Sequence, residues 1–179
     1  MSKTKRYYIA YGSNLNVQQM MFRCPDARII GTAQLDGYRL LYRGSKTGSF
    51  LTIEPMEGRS VPVAAWEVSE RDERVLDRYE GFPTFYYKKE MKLPIKGIRT
   101  GKVRERDVFV YIMHEDRPLG LPSPYYYATC LRGYLRFGFD EANLITALTD
   151  SSAGMSGPTE KDKKAMFLYL HLVRGYTPP

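Results

Sequence analysis

The sequence predicts an α+β fold: a small mixed β-barrel with flanking helices. Three observations predict it. Short runs rich in Val, Ile, Tyr and Phe, parted by Gly, Ser and Pro, occupy residues 6–113. Helical spacing takes over in residues 124–175. Pro118, Pro122 and Pro124 separate the two as a stiff linker. Strands first and helices later mark an α+β chain, and many short strands in a small domain favour closure into a barrel. At 179 residues the chain suits a single domain, residues 1–179.

Tyr7 to Tyr11 is aromatic and β-branched and reads as a strand running into Gly12-Ser13-Asn14. Asn14 or Asn16 then caps a short helix over Val17, Met20 and Met21, which Pro25 stops. Ala27 to Leu35 and Tyr38 to Tyr42 read as two strands, Gly44 to Ser49 as a polar loop, and Phe50 to Ile53 and Val61 to Val68 as two more strands. Ser69 caps a helix from Glu70 to Tyr79, with Val75, Leu76 and Tyr79 on its apolar side. Gly81 suits a left-handed C-terminal turn, and Pro83 prevents continuation. Phe85 to Leu93 and Val103 to Met113 flank a basic turn. Helices follow over Tyr125–Arg136, from an Asp140 cap to Leu148, and over Thr159–Arg174, which Gly175 ends. Asp150 to Gly157 reads as a mobile Ser/Gly-rich loop.

Composition narrows the function classes. With 43% apolar residues a packed core is expected and wholesale disorder is excluded. No apolar run approaches the roughly 20 residues a helical anchor needs, and no signal-peptide core follows the basic start, so a cytoplasmic, membrane-free protein is expected. Cys24 and Cys130 are too few for a disulfide framework and read as small buried hydrophobes. His114 and His171 have no Cys, Asp or second His at ligand spacing, so no metal is expected. His171, between Leu170 and Leu172, reads as a packing histidine. A nucleophile elbow and a phosphate loop are missing, and no cofactor is expected. The net charge of +7 is concentrated in Lys88, Lys89, Lys92, Lys96, Arg99, Lys102, Arg104 and Arg106. That stretch reads as an exposed hairpin whose edge is guarded against strand addition. It lacks the interleaved aromatics of a nucleic-acid platform, so nucleic acid is not the expected partner.

Three segments can carry chemistry. Tyr11-Gly12-Ser13-Asn14-Leu15 lies at a strand-to-helix junction, where glycine permits close approach and the first amides point outward, suited to a carboxylate or a developing oxyanion. Glu80 follows a helix among Tyr79, Phe82 and Phe85. A carboxyl against an apolar wall has a raised pKa and can exchange a proton near neutral pH. Ser123-Pro124-Tyr125-Tyr126-Tyr127 opens a helix with three phenols that cannot all face one way.

Together these segments resemble the γ-glutamylcyclotransferase family of the AIG2-like superfamily, in order and in rough spacing. The strands Pro62–Trp66 and Tyr86–Met91 on either side of the Glu helix look like the family's too, and the resemblance covers about residues 6–137. It implies a barrel with outer helices and a pocket lined by the backbone of Tyr8, Ile9, Ala10, Tyr11, Gly12 and Ser13, with Asn14 completing the turn. It implies Glu80 as the acid/base, Tyr126 as a substrate contact, and a small γ-glutamyl substrate. The expected reaction is attack of the substrate's α-amine on its own γ-carbonyl, releasing 5-oxoproline and an amine. Two other readings stay open: a binding module for γ-glutamyl ligands without catalysis, and a basic nucleic-acid binder.

Overall fold

The computed structural model describes residues 5–45, 47–155, 157 and 159–174. Five strands close into a barrel in the order β1-β3-β2-β4-β5. They are β1 (Arg6–Ala10), β2 (Arg28–Ser45), β3 (Gly48–Val68), β4 (Tyr86–Gly97) and β5 (Val103–Met113). All neighbouring pairs are antiparallel except β1 with β5, whose parallel register sets Tyr7 against Val108 and Tyr8 against Phe109. Five α-helices lie outside the strands in sequence order: α1 (Val17–Arg23), α2 (Glu70–Glu80), α3 (Pro124–Phe137), α4 (Ala142–Ala153) and α5 (Glu160–Arg174). The expected α+β class and barrel are therefore both present.

The first half is more continuous than its punctuation implies. The two strands expected before Gly44 are one strand, β2, and the two expected after it are one strand, β3. They form a single long hairpin from Arg28↔Glu67 to Ser45↔Gly48. Asp36-Gly37 does not break it; between Asp36↔Ser60 and Tyr38↔Pro55 the one residue Gly37 on β2 stands opposite residues 56–59 of β3, an irregularity beyond which the ladder resumes. Most of the expected Gly44–Ser49 loop is the paired end of this hairpin, because Gly44 faces Ser49.

The basic stretch also differs from expectation. It is a hairpin, paired from Tyr86↔Met113 to Lys96↔Val103, but not a free edge. β5 joins β1, and the far end of β4 joins β2 at Gly31↔Gly97. Several of its cations are engaged. Lys88 Nζ lies 2.6 Å from Glu73 and 2.7 Å from Asp77, and Lys92 Nζ lies 2.7 Å from Asp107.

The core is the barrel interior and its face toward the helices. Ile9, Trp66, Tyr42, Leu51 and Ile53 are all fully buried there, as are Leu76 of α2 and Tyr134 of α3. Cys24 and Cys130 are free and buried, as read from the sequence. The helix expected to end at Leu148 continues to Ala153, so Asp150–Ala153 is helix and not loop. Ser151, fully buried, accepts from the Tyr42 amide at 2.8 Å and donates to Ala147 O at 2.7 Å, which anchors α4 on β2. His171 is exposed on α5, with Nδ1 3.0 Å from Phe167 O, and is not a packing residue. The expected stop at Gly175 lies outside the described residues. Among the described residues no helix is long and apolar enough to cross a membrane.

Candidate active site

The site forms where β1 leaves the barrel and α2 ends beside it. After Ala10 the chain turns through a single 3-10 turn, Ser13–Leu15, closed by Leu15 N to Gly12 O and Asn16 N to Ser13 O, both 3.0 Å. Such a turn leaves its first amides without an internal acceptor. Asn16 caps α1, accepting from the Gln19 amide at 3.2 Å. That frees Asn14, the other possible cap, to turn inward, where it is 2% exposed.

Gly133 of α3 sets how closely this turn is held. A Cβ there would stand 2.4 Å from Leu15 Cβ and 2.7 Å from Leu15 C. No other residue lets α3 pass so near the turn.

α2 begins at Ser69, whose hydroxyl accepts from the Asp72 amide at 3.1 Å. It ends at Gly81 in the left-handed region, φ 64°, with Gly81 N to Arg78 O at 3.3 Å and Phe82 N to Asp77 O at 2.9 Å. This glycine stop fixes Glu80 as the last helical residue and aims its side chain at the turn after β1.

Glu80 Oε1 accepts from Asn14 Nδ2 at 2.9 Å, and the same nitrogen donates to the Tyr8 hydroxyl at 3.0 Å. Asn14 Oδ1 accepts from Arg23 Nη1. The Arg23 guanidinium lies 3.5 Å above the Tyr79 ring, and the Tyr79 hydroxyl meets Ser13 Oγ at 3.2 Å. Burial pushes the Glu80 carboxyl up to about 7, against the opposing pull of Arg23 and the Asn14 hydrogen bond. It can therefore hold or release a proton near neutral pH. The neighbouring phenols are driven the other way from use as bases: burial, then the Glu80 charge, raises Tyr8 and Tyr11 well above their ordinary range.

Two connected spaces meet at Glu80. The inner one is a polar recess of about 20 Å³, lined in part by Tyr8, Tyr11, Gly12, Asn14 and Tyr111, large enough for about one water-sized group. The outer one is a cleft of about 290 Å³ walled by Phe50, Phe85 and Tyr79, with Arg78 also lining it. Ser13, Glu80, Tyr86 and Tyr126 border both. Tyr126 Oη accepts from the Leu51 amide at 3.1 Å, and the Phe50 ring stands edge-on to it at 5.1 Å.

Most of the residues singled out from the sequence meet here: Tyr8, Tyr11, Gly12, Ser13, Asn14, Glu80 and Tyr126 line the two spaces. Ile9 and Ala10 do not. They are fully buried in β1, paired with Ala65 and Ala64, and serve the core. The three tyrosines of α3 separate as geometry requires: Tyr125 points to solvent, Tyr127 is buried against Tyr169, and Tyr126 reaches the cleft. Sequence reasoning missed Arg23, Phe50, Tyr86 and Tyr111. The alternation Phe85-Tyr86-Tyr87 was a usable signal for Tyr86, since one of every two strand residues faces inward. Arg23 gave no signal beyond a basic residue in a last helical turn. Among the described residues no group of three or more His, Cys, Asp or Glu is placed to hold a metal ion.

Comparison with known proteins shows the family and the fold. The family model described as gamma-glutamyl cyclotransferase, AIG2-like, matches residues 8–128, more than half of the chain. A solved structure titled gamma-glutamyl cyclotransferase is 23% identical with a TM-score of 0.65, covering 92% of this chain and 99% of that one. An uncharacterized protein from Homo sapiens is 25% identical with a TM-score of 0.64, covering 91% and 98%. YkqA from Bacillus subtilis is 18% identical with a TM-score of 0.66, covering 87% of this chain and 57% of that one. At these identities the first and third likenesses show the fold. No curated protein matches the sequence.

Proposed function

We propose that this chain, which belongs to the AIG2-like gamma-glutamyl cyclotransferase family, is an enzyme that cyclises a γ-glutamyl group to 5-oxoproline and releases the attached amine. One observation carries the reading: a single carboxyl, Glu80, held by Asn14 at the join of a polar recess and an open cleft and raised to about 7.

The chemistry asks little else of the protein. The nucleophile and the electrophile belong to one substrate, so the enzyme folds the glutamyl chain and gains an intramolecular advantage. The α-ammonium first gives one proton to solvent. As the resulting amine nitrogen bonds to the γ-carbonyl carbon and closes a five-membered ring with a transient oxyanion, ionised Glu80 takes a second proton from it. Glu80 returns the proton to the departing nitrogen as its bond to that carbon breaks. No water or second substrate is consumed.

The polar recess supplies donors for the glutamyl part. The amides that open the Ser13–Leu15 turn, and the Tyr8 hydroxyl, would donate to a carboxylate or to the oxyanion held in this recess. The leaving amine would occupy the outer cleft, against Phe50, Phe85 and Tyr126. Release of 5-oxoproline from a panel of γ-glutamyl donors tests the reading directly. Product from at least one donor, abolished in Glu80→Gln, supports it. A purified protein that binds donors and returns them unchanged makes the chain a binding module instead.

A further inference from the structure

We infer that Arg23 is a positioning residue: by fixing which way round the Asn14 amide lies, it determines what reaches the Glu80 carboxylate and the Tyr8 hydroxyl. The inference rests on the cyclotransferase reading for its catalytic consequence, though not for its geometry.

The argument begins with what each group can do. A guanidinium only donates, whereas an Asn amide has one accepting end and one donating end. Arg23 Nη1 donates to Asn14 Oδ1, so the Asn14 nitrogen must point away from it. That nitrogen has two hydrogens and uses both, one on Glu80 Oε1 at 2.9 Å and one on Tyr8 Oη at 3.0 Å. With the amide reversed, its oxygen would face a carboxylate oxygen and a phenol at once. A carboxylate would then have lost a donor and gained a repelling lone pair. Asn14 is buried, and the recess beside it has room for about one water-sized group, so bulk solvent offers little compensation.

Arg23 is itself held. Its guanidinium stacks 3.5 Å above the Tyr79 ring, a cation–π contact, and Tyr79 is joined to Ser13 at 3.2 Å. One arginine on α1 thus ties the end of α2 to the turn after β1, the two elements that must converge for the site to exist. The titratable and charged groups coupled to Glu80 are Tyr8 from β1, Tyr11 just beyond its end, Tyr86 from β4 and Tyr111 from β5, each raised in part by the Glu80 charge, and Arg23, which lowers Glu80 itself. The four phenols stay neutral, since burial raises each. Arg23 is the cation that opposes the burial of Glu80.

The test compares Arg23→Met, which keeps the stack on Tyr79 but donates nothing, with Arg23→Lys, which keeps a charge. Two readouts are taken: the pH profile of kcat for 5-oxoproline release, and an NMR titration of ¹³C-labelled glutamate side chains. Arg23→Met is expected to lower kcat by about 10- to 100-fold, the scale of a small misplacement in a site. KM should move far less, the Glu80 midpoint should rise, and Arg23→Lys should recover part of both. If Arg23→Met fails to fold, Arg23→Leu, which also donates nothing, replaces it with the same expectation. A variant that keeps the parent's kcat and the parent's Glu80 midpoint overturns the inference. If the parent releases no 5-oxoproline, the proposed function fails, and the midpoint comparison still decides whether Arg23 controls Glu80.

Discussion

Glu80→Gln should cost activity and add stability, and the added stability should depend on pH. In the folded protein the carboxyl is raised from 4.5 to about 7 by burial. A group raised in this way favours folding at low pH. Below 4.5 it is neutral in both states, and its contribution is fully present. Between 4.5 and 7 the unfolded chain ionises first, and the contribution is lost as pH rises through the folded value. At about 1.4 kcal/mol per pH unit the whole span comes to about 3 kcal/mol, and water in the open cleft screens it toward about 2 kcal/mol. Glutamine removes the ionisation and keeps the oxygen that accepts from Asn14. The variant should therefore match the parent near pH 4.5 and exceed it by about 2–3 kcal/mol at pH 8.5, or about 4–12 °C in melting temperature for a chain of this size. Urea unfolding of both proteins at pH 5 and pH 8.5 measures this. Turnover in the same preparation should fall by about 10²–10⁴-fold, the range for loss of a general acid–base. A stability difference that is equal at the two pH values refutes the raised carboxyl. Undiminished turnover refutes Glu80 as the base.

Gly133→Ala places a methyl 2.4 Å from Leu15 Cβ against backbone that cannot yield, and should cost about 1–3 kcal/mol by chemical denaturation while also lowering kcat through the displaced turn. Phe50→Ala removes the edge-on partner of both Tyr126 and Phe85 from a site 37% exposed, so stability should change little while KM rises several-fold for donors with bulky amines and less for small ones. Tyr8→Phe removes one donor to a developing negative charge, worth about 1.5 kcal/mol or roughly tenfold in kcat, and should leave the pH midpoint of activity near that of the parent.

The sequence carried the elements that local chemistry determines. Ser69, Gly81 and the apolar side of α2 bracket the helix that ends in Glu80, and each acts within a few residues of its own position. The β4–β5 hairpin was legible for the same reason, through alternation around Gly97 and Gly101. The merging of four expected strands into β2 and β3 was not legible. Asp36-Gly37 is good turn chemistry, and only the partner strand, which passes residues 56–59 opposite Gly37, keeps β2 continuous through it. Ile9 and Ala10 belong to the same paired strand as Tyr8, and only the packing around β1, which buries both completely, separates them from the pocket. Arg23 is the clearest case of an illegible residue. Its role depends on an amide nine positions earlier and a ring 56 positions later, and nothing local distinguishes it from any basic residue at a helix end.

The directions of the hydrogen bonds explain why so aromatic a recess contains one carboxylate. Tyr11 donates its proton to Tyr111 O at 2.6 Å, Tyr111 to Asp77 at 2.6 Å, and Tyr86 to Leu51 O at 2.9 Å. These three phenols have committed their protons to the protein and act as walls. Tyr8 differs: it accepts from Asn14, and among the described residues no acceptor is assigned to its own proton. The same Asn14 nitrogen that makes Tyr8 an acceptor also holds Glu80 Oε1. One amide therefore leaves two functions facing the recess, a phenol with a proton to give and a carboxylate able to take one. A substrate that develops negative charge on oxygen while losing a proton from nitrogen needs both at once. Neither a plain binding pocket nor a structural core requires them to share a single donor.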